Sequence, residues 1–175
     1  MAQDPAAKRE ITYVAVIGAG DASAAEKEAA EHVGALLAER GVVVVCGGLG
    51  GVMEAACRGV RSRGGTAVGL LPGRDRAVGN PCLSVALPTG LGELRNGLVV
   101  AAGDAVIAVG GGWGTLSEIA LAMRTGKPTV VVDSWDVKPA RPHAVSMPTA
   151  VGSAEEAVEL ALRLADGGSG RGDEG

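Results

Sequence analysis

The chain has 175 residues, 47% of them apolar, and carries 16 basic against 20 acidic side chains for a net charge of −4. That length supports one domain with a real core. The acidic balance, the absence of Phe and the single Tyr argue against a nucleic-acid partner, because both phosphate neutralisation and base stacking would lack their residues.

Residues Met1 to Glu10 are polar and read as a disordered lead, with no apolar core of a signal peptide. Ile11 to Ile17 is a β-branched run ending in Gly18-Ala19-Gly20. Asp21 or Ser23 is placed to cap a helix reaching about Arg40, which Gly41 stops. Val42 to Cys46 is an unbroken apolar strand, the type buried on both faces of a parallel sheet. It ends in Gly47-Gly48-Leu49-Gly50-Gly51, after which helical spacing runs from Val52 to about Arg63. Thr66 to Leu71 is a third strand, closed by Pro72-Gly73. A polar loop, Arg74 to Pro81, leads to a short strand at Leu83 to Leu87 and a helix over Gly90 to Ala102. Ala105 to Val109 is the next strand, Trp113 to Thr125 the next helix, and Thr129 to Val132 a further apolar strand. An irregular connection, Asp133 to His143, and a short strand near Ala144 to Ser146 are expected before a last helix, Ala154 to Ala165, capped by Ser153. Gly167 to Gly175 reads as a disordered tail.

Apolar strands alternating with helices predict a single α/β domain over residues 11–166, a doubly wound parallel sheet of Rossmann type with helices on both faces. In such sheets a ligand binds beyond the carboxyl ends of the strands, at the topological switch point. All the glycine clusters fall at those ends. The apolar runs are too short or too interrupted to span a bilayer. Cys46, Cys57 and Cys82 are too widely spaced for a zinc motif beside only two histidines, and read as small buried hydrophobes. The expectation is a soluble cytoplasmic protein with no metal and no cofactor.

The segment Gly110-Gly111-Gly112-Trp113-Gly114-Thr115-Leu116-Ser117-Glu118 stands between an apolar strand and a helix. This order puts unpaired backbone N–H groups at a helix N-terminus, an arrangement that attracts phosphate. Glu118 places a carboxylate one turn further on. Gly18 and Gly20 open like a dinucleotide fingerprint, yet Ser23 holds the third glycine position and no acid closes the second strand, so NAD is not specified. That turn is either nucleotide-facing or merely tight. Gly47, Gly48, Gly50 and Gly51, followed by Met53, offer a second anion-binding helix start, or close helix–strand packing. No Gly-Lys-Ser/Thr follows either segment, which disfavours ATP hydrolysis. Arg95, on the helix before the fifth strand, is either a solvated face residue or reaches the same cleft, where its fixed fork suits a phosphate or leaving-group contact.

Together these segments resemble the "lonely guy" family of nucleoside 5′-monophosphate phosphoribohydrolases, often described as lysine decarboxylase-like. Its pattern is Pro-Gly-Gly-x-Gly-Thr-x-x-Glu, preceded by a helix bearing Arg-Lys. Gly111, Gly112, Gly114, Thr115, Glu118 and Arg95 match; Gly110 stands at the proline, Asn96 at the lysine, and Ser117 at a position often held by a second glutamate. The family's Gly-Gly-Gly-x-x-Gly-Leu-Met element looks like Gly47 to Met53, and its Val-Ile-Pro strand end like Leu70-Leu71-Pro72. The departures are similar to a short bacterial branch that also resembles molybdenum cofactor carrier proteins. The resemblance implies cleavage of an N-glycosidic bond to free base and ribose 5-phosphate. Glu118 would act at the ribose and Arg95 at the base or phosphate end, with the phosphate on Gly111 to Thr115. Trp113, read from its place in the glycine-rich turn alone, either covers a base or simply packs. The alternative that the resemblance implies is a non-catalytic carrier or sensor of a phosphorylated nucleotide or pterin. It also implies a homo-oligomer, a dimer or dimer of dimers. No lysine sits in an evident pyridoxal-phosphate context, so lysine decarboxylation is disfavoured. The loops Arg74 to Pro81 and Asp133 to His143, at strand ends, are expected to shape specificity.

Overall fold

The computed structural model describes residues 11–138 and 146–168. Seven strands form one sheet in the order β4-β3-β2-β1-β5-β6-β7, with every neighbouring pair parallel. They are β1 (Tyr13–Gly18), β2 (Val43–Cys46), β3 (Ala67–Leu71), β4 (Val85–Pro88), β5 (Ala105–Val109), β6 (Thr129–Val132) and β7 (Thr149–Val151). Among the described residues five α-helices connect or follow them: α1 (Ala24–Glu39), α2 (Val52–Ser62), α3 (Arg95–Ala102), α4 (Trp113–Arg124) and α5 (Ala154–Gly168). The predicted doubly wound α/β fold is what forms.

The chain winds outward from β1 to β4, then returns to the other side of β1 with β5. The switch point lies between β1 and β5, whose ends are paired at Gly18 and Val109. Side chains alternate along the central strands, as the pleat requires. Val14, Val16, Val44, Ile107 and Val109 pack with α1, α2 and α5 on one face. Ala15, Ile17, Val106 and Ala108 pack with α3 and α4 on the other. The core is aliphatic throughout. Cys46 and Cys57 are fully buried in it, as expected, and Cys82 is half-buried; all three are free thiols. Helices α1 and α2 approach closely because Gly34 and Gly59 have no side chain: a Cβ at Gly59 would collide with the carbonyl of Glu31, and one at Gly34 with that of Ala56.

Two predicted elements differ. The helix expected over Gly90 to Ala102 becomes α-helical only at Arg95, after a 3₁₀ turn at Gly92–Leu94. Gly90 and Gly92 take φ of +70° and +58°, outside the right-handed helical region. The last strand lies at Thr149–Val151, pairing with Val130 to Val132. Ser146 is not in a strand, and residues 144 and 145 of the expected segment lie outside the described residues. Pro148 has no N–H to give a ladder, so pairing starts at the residue after it. Helix α5 runs past Ala165 to Gly168. The leading segment 1–10 and tail residues 169–175 lie outside the described residues.

Candidate functional site

A cleft of about 240 Å³ opens at the carboxyl ends of β1 and β5. Of the residues singled out in the sequence, Gly18, Gly20, Gly47, Met53, Arg95, Gly112, Gly114, Thr115 and Glu118 line it, joined by Asn96, Ile17 and Ala19. Residues from four connections thus converge on the switch point, where the topology predicts a ligand.

Gly112 is the N-cap of α4 and no side chain caps this helix. The first-turn N–H groups of α4 therefore present partial positive charge at the cleft. Thr115 and Glu118 are buried on this helix at 3% and 7% exposure. Spaced by three residues, they share the helix face that meets the cleft.

Arg95 is the first residue of α3 and only 8% exposed. Its guanidinium lies over Gly47, where a Cβ would collide with Nη1. Its Nε is buried and has no hydrogen-bond partner among the described residues. Burial pulls the Arg95 pKa down, while Glu118 and Cys46 act in the opposite direction. Burial likewise pushes the Glu118 carboxyl up to about 7, against the pull of Arg95. Among the described residues no ion pair joins the two. The cleft thus holds a charged donor without an acceptor and an acid poised between its neutral and ionised forms.

The other sequence candidates take supporting places. Gly51 is the N-cap of α2 and packs on the backbone of Ala19 and Gly20. The N–H of Val52 donates to the Ala19 carbonyl at 3.0 Å, so this helix start is partly occupied by the β1 turn. Gly48 packs against Leu71 and Gly69, and its carbonyl accepts from Asn80 N at 2.9 Å. Gly50 lies near the Gly20 carbonyl. Gly111 donates its N–H to Glu26 Oε1 at 3.2 Å rather than facing the cleft. Trp113, expected to cover a base or simply pack, does not line the cleft; it is 78% exposed, its ring 5.1 Å from that of Trp135 and tilted 40°. Trp135 Nε1 donates to the Gly112 carbonyl at 3.1 Å, bracing the turn. Neither the Arg74 to Pro81 loop nor the described part of the Asp133 to His143 connection lines this cleft; residues 139–143 lie outside the described residues.

Two polar residues that hold the site were missed. Asn80, 8% exposed, donates from Nδ2 to the Leu49 carbonyl at 3.1 Å and fixes the glycine loop after β2. Nothing in its sequence neighbourhood signalled this. Glu26 had a signal: Ser23-Ala24-Ala25-Glu26 is a capping box. Ser23 Oγ accepts from Glu26 N at 3.2 Å, and Glu26 Oε2 accepts from Ser23 N at 2.7 Å. Among the described residues no three metal-ligating side chains gather, and no helix is long and apolar enough to cross a membrane.

A doubly wound parallel sheet with an uncapped helix start and a buried arginine at its switch point places the chain among Rossmann-like α/β domains. The chain belongs to the SLOG cluster 4 family, whose family model matches residues 11–161. It is 42% identical over 134 residues to an uncharacterised protein of Archaeoglobus fulgidus, covering 73% of this chain and 88% of that one. Among solved structures it is similar to the molybdenum cofactor binding protein of Rippkaea orientalis. That match has 30% identity and a TM-score of 0.82, and covers 90% of this chain and 99% of that one. It is also similar to the molybdenum cofactor carrier protein of Chlamydomonas reinhardtii, at 27% identity and a TM-score of 0.79, covering 90% and 99% of the two chains.

Proposed function

We propose that this protein binds a phosphorylated pterin or nucleotide in the switch-point cleft as a carrier or sensor, without hydrolysing it. The observation that carries this reading is Arg95: a buried guanidinium with an unpartnered Nε, lining the same cleft as the uncapped N-terminus of α4. A phosphate supplies what both lack, an acceptor for charge-assisted N–H bonds. The likeness to molybdenum cofactor binding and carrier proteins supports a pterin-type cargo. The protein acts in the cytoplasm as a homo-oligomer, for which Leu94, in the 3₁₀ turn before α3, and Leu98, on α3, offer exposed apolar surface.

A second reading, a nucleoside 5′-monophosphate phosphoribohydrolase, is favoured by one observation. Glu118 lines the cleft with its carboxyl pushed up to about 7, a value suited to proton transfer at neutral pH. It would stabilise an oxocarbenium-like transition state or orient water, with Arg95 assisting. The deciding experiment offers AMP, GMP, CMP and isopentenyl-adenosine monophosphate to the purified protein and to Glu118→Gln, and measures free base and binding together. The carrier reading expects saturable binding without base release. Base release that disappears in Glu118→Gln refutes it and establishes the hydrolase.

A further inference from the structure

Glu26 lies outside the cleft, yet it ties the cleft's two lips together. One oxygen, Oε2, accepts from Ser23 N at 2.7 Å in the turn after β1; the other, Oε1, accepts from Gly111 N at 3.2 Å in the turn after β5. These turns are remote in sequence and meet only because β1 and β5 are neighbours. The hydrogen bonds hold the Glu26 carboxyl below its ordinary range, the Ser23 bonds contributing most and Gly111 adding to them. Gly110 explains itself here. It has φ +53°, and a Cβ on it would run into the Glu26 carboxylate.

We propose that Glu26 is a positioning residue for ligand binding: a carboxylate clasp that holds the Gly110–Gly112 turn from behind, so that the N–H groups starting α4 face the cleft. Resting on the reading of that cleft as a phosphate site, it names a specificity element outside the ligand's reach. A carboxylate suits the task because two N–H donors in two loops each need an oxygen. Taking Gly111 N–H out of the cleft also restricts the anion to the donors beyond it, on Gly112 to Thr115.

The test is amide NMR of the full chain, reading hydrogen exchange at Gly111 and the shifts of Gly114 and Thr115 during titration with ribose 5-phosphate. Glu26→Gln offers one oxygen where two are needed, and Glu26→Ala offers none. In both, Gly111 exchange relative to Ile107 in β5 is expected to accelerate, by about tenfold in Glu26→Ala, and half-saturation by ribose 5-phosphate to rise about three- to tenfold. Ser23→Ala removes the hydroxyl that caps α1 but keeps the two backbone N–H bonds, from Ser23 and Gly111, to the Glu26 carboxylate. It is expected to lower the melting temperature and leave Gly111 protection and ligand affinity unchanged. Unaltered Gly111 exchange in both Glu26 variants overturns the clasp. So does an equal loss of affinity in Ser23→Ala, which would assign the effect to helix capping. If ribose 5-phosphate moves no amide in the unaltered protein, the phosphate reading of the cleft falls, and Gly111 protection alone decides the clasp.

Discussion

Replacing Glu118 by Gln should change how stability depends on pH. The Glu118 carboxyl is displaced by burial from an ordinary value of 4.5 to about 7. A carboxyl whose folded value is raised binds more protons folded than unfolded. Its favourable contribution is complete below about pH 4.5 and is lost as pH climbs through about 7. The displacement corresponds to about 3 kcal/mol, of which about 2–3 kcal/mol is lost between about pH 5 and pH 8. Glutamine has the same shape and never ionises, so its variant lacks this term. Urea unfolding of both proteins across that range is the assay. The difference in unfolding free energy should tilt toward the glutamine variant by about 2–3 kcal/mol as pH rises, whatever its offset at low pH. The offset carries the loss of the neighbour that Arg95 feels; the tilt carries only the proton. Parallel profiles for the two proteins would refute the argument, because they would mean that the carboxyl ionises as readily in the fold as in the unfolded chain.

Arg95→Met should leave the empty protein as stable or make it more so, since it replaces a desolvated, unpartnered charge by an apolar chain. In the same variant, affinity for a phosphate-bearing ligand should fall by about 1.5–3 kcal/mol, the worth of hydrogen bonds to a charged group; calorimetric titration beside thermal melting separates the two effects. Gly59→Ala should destabilise by about 1–3 kcal/mol through overpacking, because the new methyl meets the Glu31 carbonyl where α1 and α2 cross. Denaturant midpoints check this, and a neutral result would show that the two helices can separate without cost.

The parallel sheet was legible because β-branched runs such as Val42 to Cys46 have few alternatives, and because glycines marked the end of nearly every strand. Cleft residues near those glycines were legible for the same reason: strand ends converge in this topology wherever the connections are short. What escaped was what depends on distant backbone. Gly48, Gly51 and Gly111 carry the right residue type, yet they serve packing and hydrogen bonding to Leu71, Ala19 and Glu26. A glycine required by a neighbouring atom reads the same as a glycine required by a ligand. The departure at Gly110 from the motif proline has its reason sixteen residues into the described chain, in a capping-box glutamate whose second oxygen reaches across the switch point. The short β7 escaped because three residues paired on one side carry too little periodicity to locate.

Arg95 and Glu118 bear on the choice between carrier and hydrolase. Each is costly to the empty protein, and apolar residues of similar volume would stabilise the cleft better. An anion at the start of α4 would repay Arg95 by pairing it. The same anion would raise the Glu118 carboxyl further by like-charge repulsion and weaken the one nearby charge that favours its ionisation. With ligand in place Glu118 would then be a neutral acid near pH 7, able to donate a hydrogen bond to a ligand oxygen but unable to stabilise a developing oxocarbenium charge. Anion binding and ionisation of Glu118 therefore oppose each other. Under the carrier reading, affinity is greatest below about 7, where the cleft is cationic, and declines above it. Under the hydrolase reading with ionised Glu118, base release rises through the same interval while affinity falls. The base-release panel, run on either side of about pH 7, thus separates the two: the fall in affinity is common to both, whereas base release rises through the interval under the hydrolase reading and is absent at every pH under the carrier reading.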